Sequence, residues 1–341
     1  MRTILTLDYE LFFGKRTGTP QACMIDASDA LLDVLSEFSA SAVFFVDASY
    51  LVRLRDYRIH SAQLAQDYSE LVSHIRHLET CGHQIQLHIH PHWFDSWHDG
   101  DHWNMVTDRY RLSQWGPREI GSLITRCARE LNSHLTQRAF AFRAGGWCVQ
   151  PFSDIADALR ANGISVDSSV YHGGIADSEV HQFDFRSAPP VSSWRFDTDP
   201  CLPSPNGVFS ELAISSLRVS PLFYWRFAFA RLLGSANRHT RFGDGSAIQN
   251  GRRDLLQLLT RRSHMAVSID GYKATLLRRA FRHAQRRQLA HFVAMGHPKS
   301  LTPFSLEHLR AWLEEVYSRG GRLESFPLPA PTLAERAPEI A

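Results

Sequence analysis

Apolar positions in the first 170 residues follow two alternating rhythms. Residues 4–7 read as a short strand, and residues 28–38 place Ala30, Leu31, Val34, Leu35 and Phe38 on one helical face. Residues 42–46 are continuously apolar, which suits a strand covered on both faces. The spacing then predicts a helix over 62–79, stopped near Gly82, and a strand over 84–88. A helix over 117–134 follows, with Pro117 and Glu119 in its first turn, then a strand over 139–143, a helix over 153–161 and a short strand over 164–166. Strand and helix in steady repetition mean a parallel sheet with helical crossovers. Polar residues collect where the strands end, as chemistry does in barrels and open parallel sheets alike.

From about 172 to 263 the rhythm fails. Prolines cluster at 189–190 and at 200, 203 and 205, and residues 243–251 are rich in turn formers. This stretch reads as an insertion or irregular strands over the face of the domain, not an independent fold, and is expected to roof the strand ends and select the substrate. The pattern resumes with a strand over 265–269, a helix over 274–290, a strand over 291–295 and a helix over 306–319. Residues 327–341 read as a mobile tail.

A chain of 341 residues can bury a large core, as one big α/β domain or two smaller ones. Its 44% apolar and 21% charged residues are ordinary for a globular protein, and a net charge of +2 gives no reason to expect nucleic acid. Basic pairs at 252–253, 261–262, 278–279 and 286–287 read as solvated helix faces; their functional reading is contact with a sugar-phosphate or lipid-linked substrate. Five scattered cysteines, Cys23, Cys81, Cys127, Cys148 and Cys201, and no signal peptide lead us to expect a reduced, cytoplasmic chain. No apolar run approaches the roughly 18 residues of a membrane span. The aromatic stretch 221–233 comes nearest but is interrupted by Arg226 and Arg231, so it reads as a buried or lipid-surface helix, with peripheral membrane contact left open. Trp225 and Phe229 within it are read as core.

The candidate chemistry lies at strand ends. Asp8 and Glu10, two apart on a strand, share a face and can point at one site. His88, His90 and His92, at alternating positions, close the strand over 84–88, with Pro91 breaking it. His88 with His90 is a strand pair; His88 with His92 would close around a turn. Either pair with a carboxylate suits a divalent metal and leaves a position open for water. Arg143 ends another strand before Gly145 and Gly146, and is expected to pair with a carboxylate such as Asp8. His297, between Gly296 and Pro298, is a candidate general acid. His98 and His102, in a polar loop, are not expected to be ligands.

The order of these motifs resembles that of the polysaccharide deacetylase (NodB homology, carbohydrate esterase) family. Thr6-Leu7-Asp8-Tyr9-Glu10 resembles its first motif, and Gly82-His83-Gln84-Ile85 leading to His88 and His92 its second. Phe142-Arg143-Ala144-Gly145-Gly146-Trp147 resembles the third, Val166-Asp167-Ser168-Ser169 loosely the fourth, and Met295-Gly296-His297 the fifth. Residues 42–46 also resemble the family's second strand. His88-Ile89-His90-Pro91-His92-Trp93 with Phe142-Arg143-Ala144-Gly145-Gly146 is similar to the WalW-like subgroup. The likeness spans roughly residues 1–170 and 264–326 and leaves the middle unplaced.

The resemblance implies an α/β fold, a distorted (β/α) barrel of about seven strands. Residues 1–326 would be a single catalytic domain, with 172–263 inserted in it. It implies a metal-dependent carbohydrate N-deacetylase acting on an N-acetylated sugar, polysaccharide or glycolipid precursor. Glu10, His88 and His92 would hold the metal, zinc first, with cobalt, manganese or nickel as alternatives. Asp8 would be the base, Arg143 its orienting partner, His297 the acid and Asp167 the partner of His297. Gly145, Trp147 and Trp93 would lie against the substrate. Two departures stand out. Tyr9 occupies the place of the family's second aspartate, which leaves open whether Asp8 or Glu10 completes the metal site. The fourth motif lacks its tryptophan. Two rivals remain: a non-catalytic carbohydrate-binding or scaffold protein on the same fold, and a different metallohydrolase using His88 and His90 on a cyclic amide or phosphoester. The sequence leaves the oligomeric state open.

Overall fold

The computed structural model describes residues 1–233, 236–248 and 252–328. The apolar runs become strands β1 (Arg2–Tyr9), β2 (Val43–Asp47), β3 (Gln84–Ile89), β4 (Ala141–Ala144) and β5 (Val166–Asp167). Strands β6 (Ser193–Phe196) and β7 (Phe209–Leu212) follow, then a hairpin of β8 (Ser216–Val219) and β9 (Ser263–Ala266), then β10 (His291–Gly296). The main sheet has eight strands in the order β6-β7-β5-β4-β3-β2-β1-β10. Every neighbouring pair in it is parallel except β6 with β7.

The two edges of this sheet are drawn together by irregular chain. Ser215 N–H donates to the Val293 carbonyl at 2.9 Å, Val267 N–H to Ser215 at 2.7 Å and Met295 N–H to Val267 at 3.0 Å. The result is a nearly closed, distorted α/β barrel. Helices α1 (Ala27–Ser36), α2 (Ala48–Tyr57), α3 (Ala62–Thr80), α4 (Pro117–Asn132), α5 (Ser153–Ala161), α6 (Pro221–Leu233), α7 (Arg252–Thr260), α8 (Leu277–Arg286) and α9 (Pro303–Ser318) complete the main elements.

Strand alternation divides the core in two. Ile4, Val43, Phe45, Ala141, Val166, Leu212 and Val293 fill the barrel interior with Phe140 and Phe326. Their neighbours along the strands, such as Leu5, Phe44, Leu87, Phe142 and Phe292, belong to the larger core that takes in the helices. Tyr9 shows the outward face: it is fully buried and donates its hydroxyl to His74 Nδ1 of α3 at 2.7 Å, while His74 Nε2 meets Asp29. The inward positions two or four residues further along each strand carry the polar groups described below.

Three expectations are corrected. The stretch 172–263 is more than a roof, because β6 and β7 extend the main sheet. Each is four residues long, too short for a period-2 signal to stand out. Helix α2 was not expected; it leaves β2 without a loop, and Asp47 caps it by accepting from Ser49 N and Tyr50 N. Trp225 and Phe229 are 48% and 56% exposed, so they are not core. The opposite side of α6 makes the contact, Phe223 and Phe227 lying against Tyr272. Among the described residues no helix is long and apolar enough to cross a membrane. The expected tail lies outside the described residues beyond 328.

Helices α8 and α9 are joined by one buried carboxylate. Glu315 accepts from Arg278 Nε at 2.6 Å and Arg282 Nε at 2.6 Å, with Arg319 at 3.0 Å. Hydrogen bonding from Arg282 outweighs burial and, with Arg278, depresses the Glu315 pKa to about 2. A depressed carboxylate stabilises above its unfolded pKa, near 4.3, and loses that contribution as pH falls through its folded value. Because the arginines are half exposed, we expect Glu315→Gln to cost only about 1–2 kcal/mol at neutral pH. In urea titrations the gap to the parent should narrow as pH falls from about 4 toward 2; a gap independent of pH would reject this account.

Candidate active site

The polar end of the barrel is assembled from inward positions that continue the apolar ladders. Beyond Ile4 and Thr6 come Asp8 and Glu10; beyond Phe45 comes Asp47; beyond Gln86 come His88 and His90; beyond Ala141 comes Arg143; and beyond Val293 and Met295 comes His297.

Arg143 is fully buried and pairs with Asp8, Nη1 to Oδ1 at 2.5 Å. Its other donors reach the Ser168 carbonyl at 2.7 Å, Thr6 Oγ1 at 3.0 Å and Ser168 Oγ at 3.1 Å. Its guanidinium lies 4.2 Å from the Phe45 ring centroid. A planar fork held at four points fixes the Asp8 carboxylate and leaves Oδ2 directed elsewhere. That oxygen is 3.7 Å from His297 Nε2.

His297 is held by Asp270. Its backbone N–H donates to Asp270 Oδ1 and its Nδ1–H to Oδ2, both at 2.8 Å. Burial lowers the His297 pKa, but Asp270, Asp8 and Glu10 outweigh it and raise the value. For Asp270, burial is outweighed by His297 and the value falls to about 2. His297 is 19% exposed, against 5% for Asp8 and 6% for Glu10, so solvent reaches the pair from the His297 side.

Glu10, His88 and His90 bring three donor atoms within 4.8 Å of one another. Glu10 Oε2 lies 3.0 Å from His88 Nε2 and 2.6 Å from His90 Nε2. Its other oxygen accepts from Lys299 Nζ at 2.7 Å, and the same ammonium reaches the Leu11 carbonyl. Burial raises the Glu10 pKa, yet Lys299, His90 and His88 outweigh it and hold the value well below the carboxylate norm. His88 donates its Nδ1–H to the Arg143 carbonyl at 2.8 Å, which leaves a lone pair on Nε2 facing Glu10. A lone pair and a carboxylate oxygen at that separation need a proton or a cation between them. His90, also buried, makes no directed hydrogen bond with either nitrogen. Two imidazoles and one carboxylate oxygen, with the second oxygen already satisfied, fit a divalent metal with open positions.

Several expected residues lie differently. His92 stands apart from the Glu10 cluster, because Pro91 begins a 3₁₀ turn over Pro91–Phe94 and ends the strand alternation. Its ring stacks on Tyr110 at 4.7 Å and meets Phe13 edge-on, and neither nitrogen has a hydrogen-bond partner. Burial, reinforced by His90, holds its pKa well below the usual value. Asp167 is not the partner of His297. Val166 points into the barrel, so Asp167 points out and meets Glu211 on β7 and Ser169. Burial raises both acids' pKa values, Glu211 well above normal.

Trp93 is fully buried and donates to Asp47 Oδ2 at 2.8 Å, so it does not face a substrate. Gly145 serves His90: a Cβ there would lie 2.5 Å from the imidazole. Trp147 packs edge-on against Tyr171 and against Phe183 of the inserted stretch. Asp270, Lys299 and Asp47 were not anticipated. Asp270 ends the apolar run 265–269, the same strand-end signal that marked Asp8. Nothing in the sequence marks Lys299, which folds back over Phe12 and Phe13. Residues 242–246 lie beside it, with Gly243 N–H donating to the Lys299 carbonyl and Ser246 joined to Gly14, so this part of the insertion does cover the site's edge.

No family model and no curated protein matches the chain. Among solved structures it is similar to a putative polysaccharide deacetylase from Mycobacterium smegmatis, with 16% identity over 97% of this chain and 94% of that one and a TM-score of 0.48. It is also similar to a family 4 carbohydrate esterase from Streptomyces lividans in complex with acetate, with 10% identity, 95% and 92% coverage and a TM-score of 0.40. A polysaccharide deacetylase from Bacillus cereus gives 11% identity, 96% and 92% coverage and a TM-score of 0.42. Likeness at this level assigns neither an activity nor site residues to the chain.

Proposed function

We propose that this protein is a metal-dependent hydrolase that removes the acetyl group from an N-acetylated sugar, as a single catalytic domain over 1–326. One observation carries the reading: Asp8, steered by Arg143, faces His297, backed by Asp270, beside the donor atoms of Glu10, His88 and His90. The sugar amide as substrate class is supported by the order of the sequence motifs. Zinc suits the nitrogen and oxygen donors best.

When bound, the divalent ion supplies Lewis acidity toward a carbonyl and makes water a stronger nucleophile. Asp8 Oδ2 takes the proton from the attacking water, since Oδ1 is committed to Arg143. His297 Nε2 carries the proton for the leaving amine, its Nδ1–H fixed by Asp270. Lys299 keeps Glu10 ionised and turns a single oxygen toward the histidines.

One observation favours a second reading. His90, not His92, is the imidazole that joins His88 at Glu10, the pair expected of a hydrolase acting on a cyclic amide or phosphoester. A substrate panel separates the two. Zinc-loaded protein should release acetate from at least one N-acetylated oligosaccharide, stop on chelation and resume on zinc addition. Turnover of a phosphodiester or cyclic amide with no acetate from any acetylated sugar would replace the first reading by the second.

A further inference from the structure

The basic residues along α8 separate into two populations. Arg278 and Arg282 of α8 are committed to Glu315. Arg279, His283 and Arg286, spaced i, i+4 and i+7 on the same helix, lie on another face and border a separate cavity of about 410 Å³. Arg287, Arg218 from β8 and His264 from β9 border it too, and no carboxylate does. Among the described residues Arg218, Arg279 and Arg286 form no salt bridge, and Arg287 meets only the Pro190 carbonyl, at 3.3 Å. Elsewhere on these helices arginines do find acids, as Arg310 does with Glu37.

Positive charge therefore gathers in one concavity without compensation. Two histidines register it. Burial lowers the His264 pKa, helped by His172 and Arg218, and burial lowers that of His283, helped by Arg287, Arg286 and Arg279. His264 Nδ1 is buried without a hydrogen-bond partner. Between the charges the wall is apolar, with Ile214, Leu217 and Leu289. The cavity lies toward the amino end of β10: Ser192 on its wall accepts from His291 N–H at 3.0 Å, whereas His297 lies past the carboxyl end. Six strand residues separate those ends, about 20 Å of chain, so this is not the site of Asp8 and Glu10.

We infer that this cavity binds a phosphorylated small ligand, through a phosphate or diphosphate group gripped by Arg218, Arg279 and Arg286. Guanidinium groups bind phosphate oxygens through paired N–H donors, and a volume of this order holds a small molecule instead of a polymer. The convergence of the arginines from a hairpin and a helix onto one hollow also separates them from an ordinary solvated face. This reading does not depend on the proposed deacetylation.

Calorimetric titration of the full-length protein with inorganic pyrophosphate tests it. The expected result is saturable binding that weakens with salt and falls at least tenfold in Arg218→Gln with Arg279→Gln. Both positions are exposed and unpaired, so the fold is retained. Arg118→Gln with Arg322→Gln removes the same charge from exposed positions elsewhere and should leave binding unchanged. Sedimentation with phosphatidic acid vesicles, lost in the first double variant alone, would assign the phosphate to a lipid headgroup; pyrophosphate binding without sedimentation assigns it to a soluble ligand. Absence of both, or equal loss in the two double variants, overturns the proposal.

Discussion

Asp8→Asn will reduce turnover by about 10²–10⁴-fold, the usual worth of a positioned general base, while the bound metal content stays at the parent level. The separation of the two effects follows from geometry. Asp8 spends Oδ1 on Arg143 and aims Oδ2 at His297, whereas the clustered donors belong to Glu10, His88 and His90. An asparagine keeps the shape but cannot accept the proton. It also leaves the fully buried Arg143 without a counter-charge, with only neutral acceptors on the new asparagine, Thr6 and Ser168, and breaking a buried ion pair costs about 3–5 kcal/mol. Activity is therefore to be measured below the variant's melting temperature, with circular dichroism as the check on folding. Asp270→Asn provides a companion at the other end of the same dyad. It should lower turnover and shift the alkaline limb of the pH profile downward, because the carboxylate that fixes His297 is lost. Asp167→Asn should move neither quantity. If Asp8→Asn instead empties the metal site with turnover falling in parallel, Asp8 is a ligand and the roles given to the two carboxylates are exchanged.

The barrel was largely legible because its strands are continuous apolar runs and its site residues extend the inward ladder of each strand. Asp8, Glu10, His88, Arg143 and His297 were all visible as polar residues at the end of such a run. Where the ladder stopped, reading by spacing failed. His92 sits beyond Pro91, in a turn whose rotation no spacing rule specifies, while His90 is still in phase with His88. Asp167 was chosen by motif order, against the alternation that points Val166 inward and therefore Asp167 outward. Asp270 obeyed the strand-end rule but lay past a stretch whose rhythm had been lost. Lys299 depends on a turn after Pro298 that carries its ammonium back to Glu10, a contact 289 residues long in sequence and invisible to any local pattern. Strands β6 and β7 were missed for a related reason: four residues make little more than one full alternation.

Glu10→Gln combined with His88→Ala will leave the protein folded and essentially free of zinc after equilibrium dialysis. Both donors are inward, buried and directed at one point, and His88 is further fixed by the Arg143 carbonyl. Loss of a group that only orients a ligand typically weakens metal binding by about 10–100-fold, so loss of two direct ligands should exceed that range. The single variants at the next positions then decide which histidine completes the set. His90→Ala should weaken zinc by more than about a hundredfold, since its Nε2 is 2.6 Å from Glu10 Oε2. His92→Ala should change zinc affinity little and act mainly through lost stacking on Tyr110 and Phe13. Both truncations should also destabilise, because removing His92 opens a hole in an aromatic layer and removing His90 leaves a void against Gly145. Tight zinc in His90→Ala with loss in His92→Ala would mean that the His92 ring turns toward Glu10 when metal is present, and the pairing of His88 with His92 expected from the motif spacing would be restored. Parent-like zinc in the Glu10→Gln, His88→Ala double variant would remove the metal centre from this end of the barrel altogether.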